Sequence, residues 1–384
     1  MQWAAGRVAA SLGDWGSKGD EMRLWVALPI LILTGSSAGA QVDPLAPLPT
    51  QAVAVPSFQP AQPVNATLTG FAAYKQRLIA LARAAGVRQA TIQATVPFLS
   101  LNSRVIRLDR GQPGGVNNPN AIPPFAPYRR RHVTASLINR GQARFRTHWT
   151  RLSAIERRFG VEPQILMAIY GHETSYGSVT GGFDLVEALA TLAYEGRRRE
   201  FFEEEFVAAL KLLDRGTPRS RLRGSWAGAT GYPQFMPSVV LRLATDGDGD
   251  GHANIWSSEV DGLASIAAYL RDAGWKPDVH WGIPVSVPST LDRAAIVSRL
   301  KAPRCAPVYA RHSQWKTMRE WRALGVRPYG RTLPEAEMAT LIEPDGRNAT
   351  AYLLSTNYRA ILDYNCSNFY ALSVGLLADA IAGG

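Results

Sequence analysis

The chain has 384 residues, 46% of them hydrophobic, which is enough to bury a sizeable core and to hold more than one domain. Its formal charge of +11 favours anionic partners: nucleic acid, a membrane surface or a cell-wall polymer. No basic run is interleaved with aromatic residues as a nucleic-acid site would be, so a nucleic-acid partner is not expected.

The N-terminus reads as an export signal. Met22-Arg23 precedes an apolar run from Leu24 to Leu33, and Thr34 to Ala40 ends in an A-x-A cleavage pattern. The run is too short to span a bilayer. Residues 1–21 look like an upstream extension, and 1–40 together are charge-balanced, so their removal leaves the basic excess intact. No Cys follows the apolar run, so a lipid anchor is not expected. The mature chain is expected to start near Gln41, exported and soluble in the periplasm. Two cysteines, Cys305 and Cys366, lie in the exported part. An oxidising compartment permits a disulfide between them; two free buried thiols are the alternative.

Residues 41–66 are rich in Pro and Ala with almost no charge, and read as an extended linker. Helical periodicity predicts helices over Phe71–Ala85 and Thr91–Val96. Pro113–Pro127 reads as loop, and Tyr128-Arg-Arg-Arg-His132 as a solvated surface. Helical spacing returns over Val133–Phe159, 163–177, Leu185–Tyr194, Glu200–Leu213, Ser238–Ala244 and Val260–Ala273. Residues 276–350 read as a small β-rich insertion, with strand-like runs at Val279–Val287, Ala306–Tyr309 and Ala349–Leu354. Tyr358–Ala382 reads as a closing helical segment.

The helix from Pro163 delivers one carboxylate. Leu166, Ile169 and Glu173 share a face, so Glu173 ends an apolar stripe. Partial desolvation raises a carboxyl pKa and suits a general acid; a helix-end Glu reaching for water is the bland reading. Gly224-Ser-Trp-Ala-Gly-Ala-Thr-Gly-Tyr-Pro-Gln-Phe-Met-Pro-Ser238 combines flexible turns with flat faces at Trp226, Tyr232 and Phe235. Ser225 and Gln234 add neutral hydrogen bonds. The stretch suits a sugar, or packs as a glycine-rich turn on the core. Arg197, Arg198 and Arg199 offer bidentate grips for substrate carboxylates, or begin a charged helix. Tyr364 and Asn365 line the same cleft or cap a helix.

Asp246-Gly-Asp-Gly-Asp-Gly-His-Ala-Asn254 matches the start of an EF-hand loop: Asp246, Asp248 and Asp250 supply carboxylates and His252 a backbone carbonyl. Ser257 stands where the closing Glu is usual. That ligand falls to Glu259 or Asp261, with Asp261 preferred. A structural rather than catalytic calcium is expected. No second carboxylate has a motif comparable to that of Glu173; Asp184 and Glu187 are near but carry no signature. One acid among neutral neighbours suggests that the substrate supplies the nucleophile.

These motifs, in this order from about Phe71 to the C-terminus, resemble the B-type lytic murein transglycosylases, glycoside hydrolase family 103. The segments carrying the resemblance are Gly171–Gly177, Ala188–Leu192, Gly224–Ser238, the Asp-Gly-Asp-Gly loop and Tyr364-Asn365. The resemblance implies an α+β, mainly α fold: a lysozyme-like core over about 150–275, an added N-terminal helical region and a small β part. It implies cleavage of the β-1,4 bond between N-acetylmuramic acid and N-acetylglucosamine without water, leaving a 1,6-anhydro end. Glu173 would be the single acid/base. Ser225 and Asn365 would position the N-acetyl group or the muramic 6-hydroxyl, Gln234 would contact sugar, and Arg197 and Arg198 the peptide stem. Peptidoglycan strands are the expected partner of an expected monomer, with penicillin-binding proteins or other wall-synthesis enzymes as candidate associates. A wall-binding protein that no longer cuts is the alternative. Three departures stand out: His172 beside the acid, where it would perturb the pKa, the longer calcium loop, and Cys366 after Tyr-Asn.

Overall fold

A computed structural model describes residues 70–112, 123–299, 302 and 304–383. The expected leader (1–40) and linker (41–66) lie outside the described residues. Among the described residues, no helix is long and apolar enough to cross a membrane.

The chain opens with helices α1 (Gly70–Ala84), α2 (Gln89–Thr95), α3 (Ser103–Arg110), α4 (Phe125–His132), α5 (Ala135–Thr147) and α6 (Trp149–Phe159). Tyr74, Leu78 and Ala82 recur at helical spacing and form the buried face of α1. Helix α3 escapes a periodicity reading because it is short; the Asn102 side chain starts it by accepting the N–H groups of Arg104 and Val105. Helix α4 begins inside the segment read as loop. The run from Val133 to Phe159 is two helices rather than one, broken at His148, whose Nε2 is drawn to Glu259 at 2.8 Å.

Helix α7 (Pro163–Thr174) starts where Pro163 predicts, with its missing N–H at the first turn. It is more deeply placed than an amphipathic stripe requires. Ile165, Leu166, Met167, Ala168, Ile169, Tyr170 and Gly171 are all buried, and a helix apolar on every side is an interior helix. Strand β1 (Phe183–Asp184) follows, then α8 (Leu185–Glu195), α9 (Arg199–Asp214), β2 (Arg223–Gly224), α10 (Pro237–Leu243) and α11 (Glu259–Asp272). Helices α8 and α9 pack on each other, and α1 packs on α9. The Tyr74 hydroxyl and the Arg77 guanidinium both donate to buried Glu203 of α9, so the charge of that carboxylate is compensated where water is excluded.

An antiparallel sheet then forms from β3 (Gly282–Ser286), β4 (Lys316–Thr317), β5 (Arg327–Pro328), β6 (Met338–Ile342) and β7 (Ala351–Ser355), in the order β4-β6-β7-β3-β5. Strand β7 is central and buried along its whole length; Leu353 pairs with Leu341 on one side and Ile283 on the other. Trp321, Met318, Val285 and Leu341 fill a core of its own beneath the sheet. Two short helices lie between the strands, α12 (Ala306–Tyr309) and α13 (Met318–Ala323). The strand expected at Ala306–Tyr309 is therefore a helix, one that opens with Pro307 in its first turn. A Thr317–Glu320 capping box starts α13.

The closing segment is two helices, α14 (Thr356–Tyr364) and α15 (Asn368–Ala382), parted at Asn365–Ser367. There Cys366 is bonded to Cys305 as a disulfide across a Cα–Cα distance of 5.4 Å. The Asn357 side chain accepts the Lys276 N–H and donates to the Lys276 and Val279 carbonyls, which fixes the entry to the sheet on α14. Helix α15 packs on α7 and α5, and this contact builds the site.

Candidate active site

Glu173 stands in the last turn of α7 and is half-buried, at the one end of that helix not enclosed by apolar neighbours. The chain breaks sharply just past it. Ser175, Tyr176 and Gly177 have φ of 54°, 58° and 81°, three successive residues in the left-handed region, two of them not glycine. Such conformations persist where surrounding contacts enforce them. Here Tyr176 is wedged between α5 and α7: a Cβ on Gly141 or Gly171 would lie 2.3 or 2.7 Å from its ring or hydroxyl. The Tyr176 hydroxyl donates to the Leu137 carbonyl at 3.0 Å, and the Gly177 N–H to Thr174 Oγ1 at 3.0 Å. The turn holds the acid at a fixed position.

The neighbour on the acid itself comes from α15. The Tyr370 hydroxyl donates to Glu173 Oε1 at 2.7 Å. Helix α4 adds a second wall. Tyr128 stacks on His132 at 3.7 Å between centroids, and His132 faces His172 at 6.4 Å. Burial pushes the Tyr128 phenol up to about 12, and the charge of Glu173 adds to that rise. The basic run of α4 is thus only half solvated: its arginines are exposed, whereas Tyr128 and His132 turn inward. Burial holds His172 down to about 4. A neutral imidazole brings no charge to Glu173 near pH 7.

The glycine-rich stretch lies against the end of α7. Thr174 Oγ1 reaches the Tyr232 carbonyl at 3.4 Å, and the half-buried Tyr232 ring packs on Tyr170. Gln234, at φ 50°, donates through Nε2 to the Thr180 and Gly231 carbonyls at 3.1 and 3.0 Å. Ser225 is half-buried, its Oγ accepting the Ala229 N–H. Two expectations change here. The glycines serve the protein's own packing before any ligand: a Cβ on Gly224 would lie 2.1 Å from the Ala229 carbonyl. Trp226 and Phe235 are buried, and Phe235 packs on Tyr269 and Tyr364, so neither offers a face to a sugar.

Tyr364 is likewise a core residue, 0% exposed. Its hydroxyl donates to the Pro233 carbonyl, tying α14 to the loop that carries Gln234. Asn365 is half-buried at the C-terminus of α14. Asp184 and Glu187 are taken by the fold: Asp184 caps α8 and bonds Arg219, and Glu187 accepts from Asn102. Arg197 bonds the Asp109 carbonyl, with the Asp109 carboxylate at 3.5 Å, and Arg198 lies over Phe201 and Phe202. The pair is thus engaged with α3 and α9 rather than with the residues around Glu173. A further perturbed acid, Glu162, is pushed by burial to about 7. It precedes the first turn of α7, at the far end of the helix from Glu173, and accepts from Trp275 Nε1 at 2.8 Å.

In the acidic loop, carboxylate oxygens of Asp246, Asp248 and Asp261 lie within 4.8 Å of one another. Glu259 is excluded as the closing residue because Arg144 and His148 both take its carboxylate. Asp261 is fully buried, and its two oxygens accept the N–H groups of Gly247 and Asn254. Asp250 does not join the converging set; its carboxylate accepts the N–H of His252. The N–H groups of Gly249 and Gly251 hold Asp246 below the usual carboxylate range. Three converging carboxylates repel one another unless a cation lies among them, and hard oxygen donors fit calcium.

A mainly helical molecule that presents one acid from an interior helix, against a tyrosine hydroxyl and a neutral hydrogen-bonding loop, has the design of a lysozyme-like enzyme acting on polysaccharide. Residues 70–379 match the family model described as the transglycosylase SLT domain. The membrane-bound lytic murein transglycosylase B of Escherichia coli strain K12 is 31% identical over 261 residues, which span 66% of this chain and 66% of that protein. SltB3 of Pseudomonas aeruginosa was solved with NAG-anhNAM-pentapeptide and with NAG-NAM-pentapeptide. It superposes with a TM-score of 0.73 at 36% identity, covering 82% of this chain and 80% of that one. Escherichia coli Slt35 in complex with calcium gives 0.65 at 27% identity, covering 80% and 92%. The chain belongs to the lytic murein transglycosylase B family, lyases that act on peptidoglycan.

Sequence reasoning missed Tyr370 as a partner of the acid, and read Tyr128 and His132 as part of a solvated surface. Nothing in the sequence ties Tyr370 to a residue 197 positions away. The spacing of four between Tyr128 and His132 is visible and marks a shared helical face, but the arginines between them mask it.

Proposed function

We propose that this protein cleaves the β-1,4 bond between N-acetylmuramic acid and N-acetylglucosamine in peptidoglycan, without adding water. The observation that carries this is the fixed Glu173 carboxylate with the Tyr370 hydroxyl on Oε1. Protonated Glu173 gives its proton to the glycosidic oxygen, and the N-acetylglucosamine leaves as an alcohol. The muramic 2-acetamido oxygen stabilises C1, in the substrate-assisted manner known among glycosidases. Glu173, now a carboxylate, removes the proton of the muramic C6 hydroxyl, and that oxygen closes on C1 as the 1,6-anhydro ring. The acid is thereby reprotonated. Tyr370 keeps the carboxylate aimed through both transfers, while Ser225, Gln234, Tyr232 and Asn365 provide hydrogen bonds along the sugar. The export signal and the disulfide support a periplasmic site of action.

Mass spectrometry of fragments released from purified peptidoglycan tests this. Fragments one water lighter than hydrolysis products, without a reducible end, are expected. Reducible muramic ends would make the enzyme a hydrolase and demand a base that has not been assigned. Binding without release would make it a wall-binding protein.

Calcium belongs to the same proposal in a structural role. Asp246, Asp248 and Asp261 would hold it, joined by the His252 carbonyl. The ion would pin the loop to the first turn of α11 and thereby the Tyr232–Ile255 backbone contact beside the site. A ligand bound only by the folded state stabilises it by RT ln(1 + [L]/Kd), about 2.7 kcal/mol at a hundredfold excess over Kd. Chelator is therefore expected to lower Tm by several degrees, and calcium to restore it. A melting curve indifferent to both would remove the ion from the reading.

A further inference from the structure

A buried polar network joins the sheet region to the helix that carries Tyr370. His312, only 5% exposed, stands between α12 and β4. Its Nε2 meets Asn368 Oδ1 of α15 at 2.8 Å, and its Nδ1 meets Thr340 Oγ1 of β6 at 2.9 Å. Asn368 Nδ2 donates to the Val308 carbonyl at 3.1 Å, and the Tyr358 hydroxyl of α14 donates to the Asn368 carbonyl at 3.1 Å. The next residue, Ser313, is bonded to Leu341 of β6 in both directions. An amide oxygen only accepts, so the imidazole proton sits on Nε2, and Nδ1 accepts the Thr340 hydroxyl. Burial pushes the imidazole down to about 4, so it is neutral near pH 7, as this pattern requires.

Asn368 opens α15, and Tyr370 follows in the same turn, its N–H donated to the Ser367 hydroxyl at 3.3 Å. At about 100° per residue, two residues set the side chains roughly 200° apart. Asn368 thus faces the sheet region while Tyr370 faces α7. A roll or slide of this turn carries the Tyr370 hydroxyl away from Glu173 Oε1, which it meets at 2.7 Å. Apolar groups of the same shape could replace His312 and its partners at little cost in stability, so stability alone does not call for an imidazole here. A fully bonded buried network adds one fixed orientation.

We propose that His312 is a positioning residue for the reaction: through Asn368 it fixes the first turn of α15 against β6, and so holds the Tyr370 hydroxyl on Glu173. The kinetic consequence rests on the peptidoglycan-cleaving function proposed above; the geometric one does not. The disulfide is a separate tie. It reaches α15 through Cys366, before the helix begins, whereas His312 holds the first helical residue itself. The sheet region thereby sets the partner of the acid as well as packing on the core.

The test is a double-mutant cycle on peptidoglycan. Tyr370→Phe removes the hydroxyl, and His312→Leu leaves Asn368 and Thr340 without their partner. Each alone is expected to lower kcat about tenfold, the scale of one hydrogen bond to a charged group, with KM within about twofold. In the Tyr370→Phe background His312→Leu should cost no more than about twofold further, because the route it acts through is gone. His312→Gln, whose amide can still donate to Asn368, should recover most of kcat. A kcat within about twofold of wild type in His312→Leu, or a loss of about tenfold that persists in the Tyr370→Phe background, would overturn the proposal. Met318→Ala, in the core beneath the sheet, separates lost stability from lost aim. It should lower Tm and leave kcat unchanged; a fall in kcat matching that of His312→Leu would reduce the effect to general loosening and overturn the proposal.

Should His312→Leu fail to fold, Thr340→Val passes through the same cycle, with about fivefold expected and less than about twofold overturning. Should the wild type release no anhydro fragments, the cleavage function fails, and titration of the Glu173 carboxyl carbon by NMR decides this proposal by itself. Loss of a donated hydrogen bond disfavours the carboxylate, so its midpoint should rise in Tyr370→Phe and in His312→Leu alike. Tyr128 of α4 and His172 of α7, which also stand beside the acid and Tyr370, are the same in both variants. A midpoint that His312→Leu leaves unmoved would overturn the proposal.

Discussion

Glu173→Gln is expected to abolish turnover, by at least about a thousandfold in kcat, because both proton transfers pass through this one group. The amide fills the same volume and keeps an oxygen to accept the Tyr370 hydroxyl, so the helix end and its strained turn should persist. Glu173 is half-buried and lies outside the apolar contacts of α7, so Tm is expected to move by no more than about 2 °C, as for a substitution of small energetic effect. An amide cannot donate a proton at neutral pH and cannot receive one from the C6 hydroxyl. Two-carboxylate glycosidases lose one function when one acid is replaced, whereas here both steps stop. The check is release of anhydro-muropeptides under single-turnover conditions together with a melting curve. Activity within about tenfold of wild type in a folded variant would mean that another group performs the transfer. Glu162, held near pH 7 by burial, would be the first to examine. Its place at the opposite end of α7, accepting from Trp275, argues against it.

The parts of this site legible in the sequence are those written in local spacing. Pro163 marks the start of α7, and the Asp-Gly alternation from Asp246 marks a cation loop, because each signal lies within one turn of chain. The parts that were not legible depend on long-range packing. Glu259 and Asp261 are equivalent candidates by spacing. The choice between them is made by Arg144 and His148, which α5 and its boundary with α6 bring to Glu259. Phe235 and Tyr364 read as cleft-lining aromatics but are buried against each other and Tyr269. A flat apolar ring is equally suited to a sugar and to a core, and only the surrounding helices decide. The same holds for Val133–Phe159, where a continuous helical period spans a break that His148 makes for a tertiary reason. Tyr370 carries no local signal because its role exists only once α15 packs on α7.

Removal of the Cys305–Cys366 disulfide is expected to have the largest effect on stability of any change outside the core. The bond closes a loop across a sequence separation of 61, containing β4 to β7 and both short helices of the sheet region. Chain-entropy arithmetic for a loop of that length gives about 4 kcal/mol, an upper figure because native strain and residual structure reduce it. In a protein of this size that corresponds to a fall in Tm of roughly 5–10 °C. Cys305→Ala with Cys366→Ala, compared with wild type in the presence and absence of reductant, measures it. Reductant should lower the wild-type Tm toward that of the variant and leave the variant unmoved. An activity effect is expected as well, because Cys366 directly follows Tyr364 and Asn365 at the break between α14 and α15. Tyr364 is held by the Pro233 carbonyl and by the packing of Phe235 and Tyr269, so its place should survive. Asn365 stands at the break itself, next to Cys366, and the variant should show a raised KM with little change in kcat. If reductant leaves the wild-type Tm where it was and thiol titration finds two free cysteines, the bond is not made in solution. A bond that forms and stabilises fits an oxidising compartment, because such cross-links persist where thiols are not kept reduced.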